Sequence, residues 1–150
     1  MLASLKELFA FTEDASHQAS DQIDPALAAA ALMFEVIWSD HAINDQEVEQ
    51  IETSLQSLYA LDHAALVNLV NDARERLDEN VGLHPYTQHL NDALTEQDKF
   101  NLVKALWQVA FSDGHADQFE EHTIRRAADL LYLSHTRFIE AKLSAKQGAK

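Results

Sequence analysis

From Leu102 to Leu133 the chain reads LVKALWQVAFSDGHADQFEEHTIRRAADLLYL. Apolar residues recur at three- and four-residue spacing, stop at a short polar turn, and resume on one face of a second run. That period predicts two helices joined by a tight connection. The same plan occupies Ala29–Leu61, 73 positions upstream, where Val36, Asp40, Glu47, Ile51, Leu58 and Tyr59 fall on Val109, Asp113, Glu120, Ile124, Leu131 and Tyr132. After a one-residue gap, LDHAALV at 61–67 matches LSHTRFI at 133–139. A fixed period of this length signals an internal duplication.

The remaining pattern is also helical. Leu2, Leu5, Leu8 and Phe9 share one face of an N-terminal helix at about 2–10, with Lys6 and Glu7 opposite. Asp24-Pro25 marks a start, with Asp as N-cap and Pro at the first helical position. The helix that follows, to about Ser39, is apolar nearly all round, which places it mid-core. Asn44 and Glu47 form a predicted capping box before a stripe of Val48, Ile51, Leu55 and Leu58. Asp62 caps a helix buried through Leu66, Leu69, Val70, Ala73 and Leu77, and Val81-Gly82 with Pro85 brackets a loop. A short helix carries Tyr86, Leu90 and Leu94. Thr95 with Asp98 opens the second copy, Gly114 suits a left-handed position near its first helix end, and Asp117 with Glu120 repeats the capping box. Ser134 caps a last helix in which Phe138, Ile139 and Ala141 pack, and SAKQGAK should fray. Phe34/Trp38 and Trp107/Phe111 recur in register as core packing between the halves. The expected architecture is an all-α compact bundle of about seven to eight helices in two pseudo-two-fold repeats. One domain would span 1–150, with repeat one at about 26–80 and repeat two at about 96–145.

Composition narrows the function classes. With no Cys, disulfides, thiolate zinc sites and thiol catalysis are excluded. The first residues lack the layout of a secretory signal, and no apolar run nears the roughly 20 residues of a membrane span. The expectation is a soluble, cytoplasmic protein. The formal charge is −14, and residues 1–73 carry 13 acidic side chains against Lys6 alone. Such a field repels nucleic acid and anionic lipid and attracts cations or a basic protein partner.

The candidate site is the pair of turns DHAINDQE at 40–47 and DGHADQFE at 113–120. Asp40, Glu47, Asp113, Asp117 and Glu120 supply the hard oxygen donors that Ca²⁺ and Mg²⁺ prefer, and His41 and His115 extend the choice to transition metals. The same acids have a structural use as caps and turn acceptors. The turns lack the ligand spacing of an EF-hand, and Glu120-Glu121-His122 contains no Glu-x-x-His pair of the di-iron bundles. No nucleophile elbow, phosphate loop or HExxH motif supports an enzyme.

The run Tyr86–Ala145, with Asp113-Gly114, Glu120 six residues after the Gly, and then EEHTIRRAADLL, resembles the tellurite-resistance TerB-like family, in its uncharacterised bacterial branch. The likeness extends over about 26–145 and includes ALMFEVIWSDHAINDQEVEQI, where His41 stands in place of the usual Gly. It implies an all-helical fold with pseudo-two-fold halves and no enzymatic activity. It further implies a role in tellurite and other stress resistance or regulation, and a divalent-cation site at acids falling on Asp40, Glu47, Asp113 and Glu120, with Asp117 adjacent.

Three readings follow: a cation-binding module of a stress response, an acidic protein-interaction module without metal, and a metal-dependent hydrolase. They differ in geometry. Cation binding brings oxygens of both turns, or of one turn with its carbonyls, to a common point, whereas a Glu folded onto its own cap amide serves the helix.

Overall fold

The computed structural model describes residues 24–38, 43–79, 81–114 and 116–148. The expected helix at 2–10, Asp40, His41 and His115 lie outside them. Seven α-helices and one 3₁₀ turn account for the regular structure, with no strand among the described residues. They are α1 (Pro25–Ile37), α2 (Asp45–Tyr59), α3 (His63–Glu75, continued by the 3₁₀ turn Arg76–Glu79), α4 (His84–Ala93), α5 (Glu96–Ala110), α6 (Gln118–Leu130) and α7 (His135–Gly148).

Caps set the helix starts. Asp24 accepts from the Ala26 amide at 2.9 Å with Pro25 at the first position, and Asp62 accepts from the Ala65 amide at 2.8 Å. Asn44/Glu47, Thr95/Asp98 and Asp117/Glu120 are reciprocal capping boxes, each side chain bonded to the other residue's amide. Each such cap contributes about 0.5–2 kcal/mol. The helix ends explain the one-residue gap between the repeats. α2 is capped by Ala60 at φ 50°, α6 is capped by Leu131 and followed by Tyr132 at φ 61°, and the next N-caps, Asp62 and Ser134, come two residues after each left-handed residue. The lost residue is therefore absorbed at the end of α6, and the left-handed stop is kept.

α1 is the hub. Ala28–Phe34, Val36 and Ile37 are buried, and the helix packs against α2, α3, α4, α5 and α6. An apolar surface all round is what such a position requires. The contacts follow the duplication: α1 on α3 matches α5 on α7, and α2 on α5 matches α6 on α1. α1 meets α5 across the middle. Trp107, fully buried, stacks on Phe111 at 5.5 Å and meets Phe138 of α7 at 5.6 Å. Cations of α7 close this layer, Arg137 over Phe100 at 3.9 Å and Lys142 over Trp107 at 5.0 Å.

Two expectations about the last helix are corrected. Ile139 is 36% exposed, because the buried face of α7 runs through Phe138, Ala141 and Ala145. The helix runs further into the expected tail than the sequence reading allowed: α7 continues to Gly148, with Ala145 fully buried against the core.

Candidate functional site

The two turns enter α2 and α6, whose first residues are fixed by their boxes. In the first, the Glu47 amide donates to Asn44 Oδ1 and the Asn44 amide to Glu47 Oε1, both at 2.9 Å. In the second, the Glu120 amide donates to Asp117 Oδ1 at 2.8 Å and the Asp117 amide to Glu120 Oε1 at 3.0 Å. Gly114, at φ +110°, carries the second turn in a conformation disfavoured for side chains with a Cβ. Its amide donates to the Phe111 carbonyl at 2.9 Å.

Both glutamates are buried, Glu47 to 4% exposure and Glu120 to 5%. The reading of them as caps and turn acceptors did not include their burial, although the signal was present. Glu47 lies four residues before Ile51 and eight before Leu55, and Glu120 bears the same relation to Ile124 and Ala128. An N3 glutamate in register with the apolar stripe is carried inward with it.

Burial raises Glu120 from an ordinary 4.5 to about 7. The Asp117 amide opposes the shift, while the charges of Asp117, Asp113 and, from the other repeat, Glu47 add to it. Charges from both repeats, Glu47 in one and Asp113 and Asp117 in the other, thus act on the Glu120 carboxyl. Among the described residues no group of three or more His, Asp or Glu is arranged to hold a metal ion. Glu35, which sequence reading passed over, is a further carboxylate raised by burial, in a 330 Å³ recess beside Trp38, His84 and Arg126.

With the acids at the paired turns of a duplicated helical bundle, the comparison with known families is decisive: the model for tellurite resistance protein TerB matches residues 26–143, most of the chain. The chain belongs to the TerB family. The match covers both repeats and all seven helices, except for the last turns of α7 and the first residue of α1. No curated protein and no solved structure matches the chain. Within this TerB domain the charges of Asp117, Asp113 and Glu47 all act on the Glu120 carboxyl. No helix among the described residues is long and apolar enough to cross a membrane.

Proposed function

We propose that this TerB domain is a non-enzymatic, cytoplasmic module of a tellurite- or stress-resistance response, and that its paired turns take up a divalent cation. One observation carries the reading: the charge of Glu47 in one repeat is felt by Glu120 in the other, with Asp113 and Asp117 beside it. Like charges gathered at a half-desolvated corner repel one another, and a divalent cation reverses that cost. The donor set fits in kind, since carboxylate oxygens are what Ca²⁺, Mg²⁺ and Mn²⁺ take. Asp113 and Asp117, with Asp40 from the first turn, would hold the ion. Glu47 and Glu120, each bonded through one oxygen to its cap, would add charge. The ion would supply neutralisation and cross-linking of the two turns.

A second reading, an acidic module that recognises a basic protein without metal, is favoured by a different observation. Both glutamates are folded onto their own cap amides, and the described carboxylates do not by themselves form a three-member group. Calorimetric titration of metal-stripped protein with Ca²⁺, Mg²⁺, Zn²⁺ and Mn²⁺ separates the two. Saturable heat with a rise in melting temperature, lost in Asp113→Asn/Asp117→Asn, is the outcome expected for the cation reading. An absence of heat and of any thermal shift at millimolar metal, together with salt-sensitive binding of a basic peptide, would leave the second reading in its place.

A further inference from the structure

The hub helix α1 carries one charged side chain, Glu35, in an otherwise apolar sequence. That carboxylate is half-buried, and burial raises it. It lines a recess of about 330 Å³ together with Trp38 of α1, Val81 and His84 at the start of α4, and Thr123 and Arg126 of α6. This volume falls at the small end of ligand sites, which run from about 300 to 1,000 Å³. Among the described residues neither the Glu35 nor the Arg126 side chain takes part in a hydrogen bond or ion pair. The recess therefore offers one charge of each sign, and the two do not neutralise each other. A half-desolvated carboxylate in that condition is costly until a cation reaches it.

The duplication shows that helix packing does not require these charges. By the 73-residue register Glu35 corresponds to Gln108 and Arg126 to Thr53, so the other repeat places neutral side chains at both positions. The rest of the lining also suits a ligand with two unlike ends. α4 begins at His84 without a side-chain cap, which leaves its first amides ready for an anion. Val81 is exposed, and with Trp38 it supplies apolar surface.

We propose that this recess binds a small zwitterion, an α-amino acid with an apolar side chain. Its ammonium bonds Glu35, its carboxylate bonds Arg126 and the first amides of α4, and its side chain lies against Trp38 and Val81. A planar guanidinium can take both oxygens of a carboxylate, which suits Arg126 to that role. A simple cation or a simple anion would meet only one of the two charges. The inference is independent of the cation reading, because the recess shares no residue with the paired turns.

The chain has two tryptophans, Trp38 in the recess and Trp107 fully buried in the core. Their indole N–H signals in an NMR spectrum, assigned with Trp38→Phe, therefore report on the site and on a control. Metal-stripped full chain is titrated with L-leucine at millimolar concentration. A saturable shift of the Trp38 signal with Trp107 unmoved is the expected result. N-acetyl-leucine lacks the ammonium, leucinamide lacks the carboxylate, and the dipeptide leucyl-leucine holds its charges further apart. Each should bind about tenfold more weakly, or worse, as expected for one lost charge-assisted hydrogen bond. Glu35→Gln and Arg126→Thr install the residues of the other repeat. Both should keep the Trp107 signal of the wild type and lose leucine affinity by a similar factor. No saturable shift with L-leucine overturns the proposal. So does equal binding by any of the three analogues or by either variant.

Discussion

Replacing Glu120 by Gln removes one charge from the paired turns and keeps an oxygen able to accept the Asp117 amide proton. In the folded protein the Glu120 carboxyl is raised to about 7, by burial first and by neighbouring carboxylates second. In the unfolded chain it titrates near the ordinary 4.5. Between those values the native state holds a proton that the unfolded state has released. Stability therefore falls as pH rises through this window, and the loss is complete above about 7. Full linkage over the shift sets a ceiling of about 3 kcal/mol. Asp113 and Gly114 are exposed beside the site, and water there screens the field, so roughly 1–2 kcal/mol is the working figure. For a domain of this size that corresponds to about 2–8 °C in melting temperature. Metal-stripped wild type and Glu120→Gln are melted at pH 5 and pH 8. The variant should match wild type at pH 5 and exceed it at pH 8. Equal pH dependence in the two proteins would refute the reasoning, because the titrating group would then lie elsewhere.

The other predictions concern caps, core and backbone. Asp117→Ala should destabilise by about 1 kcal/mol in denaturant melts through loss of the α6 cap, and Asp117→Asn should recover most of it. Leu32→Ala, fully buried on the hub helix, should cost about 2–5 kcal/mol, measured as a lower urea midpoint with an unchanged slope. Gly82→Ala should cost about 1 kcal/mol by the same assay, because φ is +79° there although nothing stands within 4 Å of the new Cβ.

Periodicity made the bundle legible. Each capping box and N-cap read from Asn44, Asp62, Thr95, Asp117 and Ser134 is where the helices begin, because cap chemistry is local and involves residues two or three apart. Packing was less legible, because it depends on partners far away in the chain. Ile139 has the composition of a core residue, but α7 turns a different face to α5. SAKQGAK has the polarity of a fraying tail, yet Ala145 is small enough to sit flush on the core. At the turns, sequence supplied the acids and the duplication supplied their pairing. It gave no hint that Glu120 would hold its proton near neutrality, because that follows from burial and from charges contributed by both repeats.

The central claim is that carboxylates of the two repeats share one field, which a cation can neutralise. The most direct test is a carbon-detected NMR titration of the Glu120 carboxyl in metal-stripped wild type, in Glu47→Gln, and in wild type with excess Ca²⁺ or Mn²⁺-competed Mg²⁺. The account predicts a midpoint near 7 in wild type, displaced downward when Glu47 is neutralised and further downward when cation is present. Three superimposable titration curves would contradict it.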